Sequence, residues 1–211
     1  MSSAAKPLDH QSLLRRAFDI ARQSRARGDH PFGALLADAD GKVLLEQGNG
    51  FSAEGGDMTA HAERLLATRA SKGYSPDVLA ACTLYSSAEP CAMCAGAIYW
   101  AGIGRVVYGQ AERSLKAATG GHPENPTLDL PCRTVFAAGQ RKVEVIGPLL
   151  EDEAAALQQE IGVLIGPGPI APQAGVILVD AGTALLPGGT AGGRGGRAHG
   201  EKDGAQARRD D

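Results

Sequence analysis

Glu89-Pro90-Cys91-Ala92-Met93-Cys94, read together with Thr59-Ala60-His61-Ala62-Glu63 upstream, decides how this chain is organised. His61 offers an imidazole nitrogen; Cys91 and Cys94 offer two thiolates three residues apart. That donor set suits zinc. Three protein ligands leave the fourth tetrahedral position open, as in a catalytic rather than a structural site. Glu63 stands two residues beyond the histidine, too close to be a comfortable fourth ligand. It is well placed to handle a proton on water at the open position.

The flanking sequence predicts how the ligands are presented. Pro90 is acceptable at a helix start, where its missing N–H is not needed. Residues 91–101 are rich in Ala, Met and Ile, and Gly102 follows as a stop signal. Both cysteines then fall in the first turn, where residues three apart share a face. The helix N-terminus favours thiolate over thiol. Residues 61–70 form a second helical stretch with Thr59 as candidate N-cap. Two helix N-termini facing each other would bring the three ligands together.

His-x-Glu followed by Pro-Cys-x-x-Cys resembles the zinc-dependent cytidine deaminase superfamily. Pro31-Phe32-Gly33-Ala34, residues 59–63 and residues 89–108 look like its guanine and tRNA-adenosine branch, and the likeness covers residues 8–150. The resemblance implies an α/β fold, a three-layer α/β/α sandwich around a central, mixed, five-stranded sheet. It implies Zn²⁺ as cofactor, and a substrate contact from an asparagine at about the place of Asn49. The competing reading of the same residues is a structural zinc knuckle or a redox Cys-x-x-Cys. A closed site needs a fourth ligand, and Cys82 and Cys132 are the remaining cysteines. Cys82 lies in the apolar run 80–85 and reads as a small buried hydrophobe. Cys132 follows Pro131 in what reads as a loop.

Composition bounds the rest. A chain of 211 residues predicts one domain with additional material. Four cysteines, two in metal spacing, do not make a disulfide framework, which points to a reducing cytoplasm. The N-terminus shows no signal-peptide pattern, and no run is long and apolar enough to span a bilayer. The net charge of −3 provides no footprint for nucleic acid. Residues 1–162 read as the zinc domain, while 163–211 hold 12 Gly and 4 Pro, a composition that predicts a largely disordered tail. Within it, Val176-Ile177-Leu178-Val179 suits an edge strand or a partner contact.

In chain order, residues 9–27 predict an amphipathic helix stopped by Gly28, with Leu13, Leu14, Ala17, Phe18 and Ala21 on one face. Residues 31–38 and 43–47 predict a hairpin turned at Asp40-Gly41, and Gly33 predicts close backbone approach. Gly48-Asn49-Gly50 reads as a flexible loop, with Asn49 also suited to a simple turn. Residues 73–76 read as a loop, 80–86 and 105–109 as strands, 142–147 as the last strand and 151–161 as a helix. Strands alternating with helices imply βαβ crossovers. Residues 110–133 read as a long connection, a substrate lid whose polar candidates are Glu112, His122, Glu124, Asn125 and Asp129.

The chemistry expected of such a site is hydrolytic deamination. Zinc brings the pKa of water near 7, the resulting nucleophile attacks a ring carbon bearing an amine, and Glu63 carries the protons. Ile98-Tyr99-Trp100-Ala101 looks like the guanine deaminases, and Trp100, the single tryptophan, is a candidate wall against a flat base. The leading expectation is therefore a small nucleobase or nucleoside, most of all a guanine-like one. A tRNA adenosine deaminase is the runner-up. A non-catalytic zinc-stabilised module binding through its tail is the alternative of another class. A homodimer is expected, with Ala95, Ala97, Ile98 and Ala101 packing on a second subunit; neither a membrane nor a nucleic-acid partner is.

Overall fold

The computed structural model describes residues 7–119 and 128–159. The tail reading for 163–211 and the lid candidates His122, Glu124 and Asn125 lie outside them.

Periodic apolar residues and a good cap produce the first helix, α1 (His10–Ala26). The Asp9 carboxylate accepts from the Ser12 N–H at 3.0 Å, and Gly28 follows the end at φ 91°. β1 (Gly33–Ala37) and β2 (Val43–Gly48) form the hairpin, turned at Gly41 with φ 83°. A Cβ on Gly33 would sit 2.5 Å from the Ala17 carbonyl oxygen, so the close approach expected of this glycine is to the backbone of α1.

The remaining elements are α2 (Ala62–Gly73), α3 (Pro76–Ala81), β3 (Thr83–Ala88), α4 (Ala92–Ala101), β4 (Arg105–Gln110), α5 (Glu112–Thr119), α6 (Cys132–Ala137), β5 (Glu144–Ile146) and α7 (Glu151–Gln159). The five strands run in the order β2-β1-β3-β4-β5. β1 is antiparallel to β2 and β3, while β3, β4 and β5 are parallel, so the sheet is mixed. β1 and β3 are buried along their whole length, which requires helices on both faces. Two core clusters supply them. Leu14, Phe18 and Leu157 of α1 and α7 meet Leu35, Tyr85 and Val107 on one face. Leu66, Ile98 and Phe136 of α2, α4 and α6 meet Leu36, Leu84 and Val106 on the other. This is the three-layer sandwich, and each buried Leu, Ile or Phe stabilises it by roughly 1.5–3 kcal/mol.

Four local expectations are corrected. Residues 76–81 are the short helix α3, started by Ser75-Pro76 with Pro at its first turn, so the strand begins later than expected. The connection 110–133 carries α5 and α6, and Cys132 opens α6 fully buried rather than standing in a loop. Gly48-Asn49-Gly50 is buried and hydrogen-bonded rather than flexible, since Asn49 N–H donates to Phe32 O and Gly50 N–H to Ala60 O. Ala95 and Ile98 pack into their own core, so they cannot serve a second subunit. No described helix is long and apolar enough to cross a membrane.

Candidate active site

α2 and α4 pack side by side on one face of the sheet, and each starts at a side chain that could hold a metal ion. His61 is the N-cap of α2 and Cys91 the N-cap of α4, both in extended backbone, with neither side chain spent on capping. Thr59 does not cap α2. Its N–H and hydroxyl both donate to Asp57 Oδ1 at 2.7 Å, and Asp57 Oδ2 accepts from Arg64 Nη2 at 2.8 Å. This small network anchors the turn that delivers His61.

The three donor atoms converge. His61 Nδ1 lies 3.7 Å from Cys91 Sγ and 3.6 Å from Cys94 Sγ, and the three lie within 4.8 Å of one another. Bonds of about 2.3 Å to sulfur and about 2.1 Å to nitrogen at tetrahedral angles place N and S about 3.6 Å apart. The donor set therefore fits a zinc ion in both chemistry and spacing, and zinc is the cofactor of this fold's metal-binding region. The thiols are already unequal. The Cys94 thiol beside Cys91 brings the Cys91 pKa down to about 4, whereas the same pairing and burial push Cys94 well up. The hydrogen bond to Cys91 holds His61 above its ordinary value.

Glu63 sits in the first turn of α2, 4% exposed. Its Oε1 accepts from the Ser86 hydroxyl at 2.7 Å, and its Oε2 lies 3.6 Å from Cys94 Sγ. Burial raises its pKa, while the Ser86 hydrogen bond opposes that rise. A carboxylate so placed beside three metal-type donors can take up and release a proton.

Asn49, at the end of β2, is buried; its Oδ1 accepts from the Phe51 N–H at 2.9 Å, so the turn role is real. That bond fixes the amide plane, with Nδ2 as its donor end. Trp100 is not brought to the site. It is 81% exposed in the last turn of α4, edge-on to Tyr99, and six residues of helix, about 9 Å, separate it from Cys94.

Two contributors escaped the sequence reading. Ser86 belongs to a strand buried on both faces, where a hydroxyl gives no periodic signal. Glu89 is the other. Its carboxylate accepts backbone N–H groups from Glu112 at 3.1 Å and Cys132 at 2.9 Å, tying the starts of α5 and α6 to the metal-binding loop. Glu112 itself is buried beside them, and burial with the neighbouring Cys91, Glu89 and Glu63 brings its pKa up to about 7. Asp129 instead pairs with Lys116 at 3.0 Å on the surface.

Residues 7–110 match the family described as the cytidine and deoxycytidylate deaminase zinc-binding region. A probable cytosine deaminase of Schizosaccharomyces pombe is 38% identical over 154 residues, 73% of this chain and 93% of the relative. The guanine deaminase of Bacillus subtilis is 39% identical over 114 residues, 54% of this chain and 71% of the relative. The tRNA-specific adenosine deaminase of Haemophilus influenzae is 36% identical over 102 residues, but this chain spans only 58% of its length. Among solved structures, a guanine deaminase from Nitrosomonas europaea superposes with a TM-score of 0.59 at 27% identity, over 77% of this chain and 87% of that one. A structure in complex with 2,6-diaminopurine reaches a TM-score of 0.62 at 28% identity, over 78% of this chain and 86% of that one.

Proposed function

Because the chain belongs to the zinc-dependent cytidine and deoxycytidylate deaminase family and is a hydrolytic nucleobase or nucleoside deaminase, we propose that it converts a small guanine-like base to the corresponding oxo compound with release of ammonia. The observation that carries the choice of base is the likeness of the fold, over more than three quarters of the chain, to a structure holding a diaminopurine. The net charge of −3 supports a small substrate over tRNA, whose binding draws on several phosphate contacts. The S. pombe relative, spanned over 93% of its length, favours cytosine as the second reading.

In this reading His61, Cys91 and Cys94 hold the ion, which when bound supplies the Lewis acidity that lets water act as a nucleophile near neutral pH. Glu63, as carboxylate, accepts one proton from the attacking water. It passes that proton to the ring nitrogen, then takes the remaining proton from the oxygen now bonded to the ring carbon and gives it to the departing amine, so that water is consumed and ammonia leaves behind a carbonyl. Burial makes Glu63 a willing proton holder, and the Ser86 hydroxyl keeps its free form accessible and its plane fixed. Asn49 Nδ2 donates to an acceptor on the base. The reading includes a homodimer; light scattering that returns the monomer mass at micromolar concentration removes this part. The reaction is tested by ammonia release from guanine, guanosine, cytosine and an adenosine-34 anticodon stem-loop. Turnover of the stem-loop alone overturns the small-base reading.

A further inference from the structure

Among the described residues, one buried side-chain polar atom has no hydrogen-bond partner, and it belongs to Gln110, which is 2% exposed. The atom is Oε1. A buried carbonyl without a donor is costly, and native chains keep such a group where something else satisfies it.

Strand alternation gives its direction. Val106 and Tyr108 of β4 belong to the core under α2 and α4, while Val107 belongs to the core under α1 and α7. A Cβ on Gly109 would strike Phe18 of α1 and Ala154 of α7, so position 109 also faces α1 and α7. Gln110 therefore faces α2 and α4. In the parallel β3–β4 ladder Ser86 pairs with Tyr108 and Ala88 with Gln110. The Ser86 hydroxyl on that face meets Glu63. Gln110 thus stands one pair further toward the carboxyl ends of β3 and β4, between Ser86 and the Glu89–Cys91 turn. Parallel sheets bind their ligands at this edge. The Glu89 N–H donates to the Gln110 main-chain oxygen at 2.7 Å, which fastens the residue to the metal-binding turn.

We propose that Gln110 is a specificity-determining residue of this site, whose side-chain carbonyl takes a ring N–H of the bound base. The pocket then presents a donor at Asn49 Nδ2 and an acceptor at Gln110 Oε1. Guanine and cytosine each carry a carbonyl and a ring N–H and satisfy both. The adenine of a nucleoside has only acceptors on its rings, and its amine is the group that departs. The inference rests on the deaminase reading above and narrows its substrate to bases bearing a ring N–H.

The test compares the zinc-loaded wild type with Gln110→Met, a side chain of similar length and no acceptor. Ammonia release is measured from guanine, 1-methylguanine, 9-methylguanine, cytosine, 1-methylcytosine and an adenosine-34 anticodon stem-loop, and melting is recorded without substrate. The wild type should lose activity on at least one methylated form of its preferred base. Gln110→Met should lose about tenfold to hundredfold in kcat/KM on the unmethylated base and become indifferent to that methyl group. Its substrate-free melting temperature should not fall, because an unpartnered carbonyl has been removed; a purely structural glutamine would give the opposite pattern. Wild-type kcat/KM in Gln110→Met overturns the proposal while leaving the deaminase reading intact. Turnover of cytosine but not guanine overturns the guanine reading, and Gln110 is then judged on the cytosine pair. Turnover of adenosine in a stem-loop alone overturns both. If Gln110→Met does not fold, the wild-type series decides, and indifference to every methyl group refutes the assignment.

Discussion

Replacing Ser86 by alanine isolates the orientation of the proton carrier from the metal site. The Ser86 hydroxyl donates to Glu63 Oε1 at 2.7 Å, with Ser86 wholly buried and Glu63 nearly so. A hydrogen bond to a charged group contributes about 1.5–3 kcal/mol net. To the extent that this interaction is stronger in the transition state than in the free enzyme, Ser86→Ala slows kcat/KM, by at most about 10- to 150-fold. The pH dependence separates this from general damage. Burial already raises the Glu63 pKa, and the serine is among the groups holding it down. Without the donor the pKa rises further, so at a given acid pH less of Glu63 is the carboxylate that accepts the proton. The acid limb of kcat/KM must move to higher pH, with zinc content unchanged because Ser86 is not a ligand. The assay is ammonia release across pH with metal analysis in parallel. Unchanged kcat/KM together with an unmoved acid limb refutes the role, and a lowered melting temperature alone would reduce Ser86 to a packing residue.

Glu63→Gln should keep zinc and fold while losing on the order of 10²–10⁴ in turnover, since in the proposed reaction the carboxylate carries protons and is not a ligand; near-normal turnover rules this out. Cys91→Ser should lose most of its zinc by elemental analysis whereas Cys132→Ser, whose residue opens α6 away from the donor cluster, should retain it; the reverse pattern would reassign the ligands. Gly104→Ala should destabilise the fold by about 1–3 kcal/mol in denaturant unfolding, because the new Cβ would lie 1.9 Å from the Ala80 carbonyl oxygen, which is backbone and cannot swing away. A Gly104→Ala midpoint equal to wild type would show that the approach of α3 to the start of β4 is looser than described.

The sequence by itself determined the donor set and the layer plan. His61, Cys91 and Cys94 are legible because metal coordination demands particular atoms at short spacing, and both helix starts carry local signals, Pro90 and the Gly102 stop. The strands of the sheet are legible as apolar runs between breakers. What only the tertiary structure decided is which distant groups meet. Ser86 and Gln110 look like ordinary polar residues in buried strands, and the roles proposed for them follow from the parallel pairing of β3 with β4, which lines them up on the face of α2. Trp100 looks like a pocket wall in sequence, yet the rise of α4 carries it away from the helix start that holds the cysteines. The connection after β4 reads as one loop because its Gly and Pro are local signals. Its helices α5 and α6 start where Glu89, more than twenty residues upstream of one and forty of the other, accepts a backbone N–H from the first residue of each. A residue's chemistry is local and can be read along the chain; its partners are set by burial and strand register, which belong to the folded chain alone.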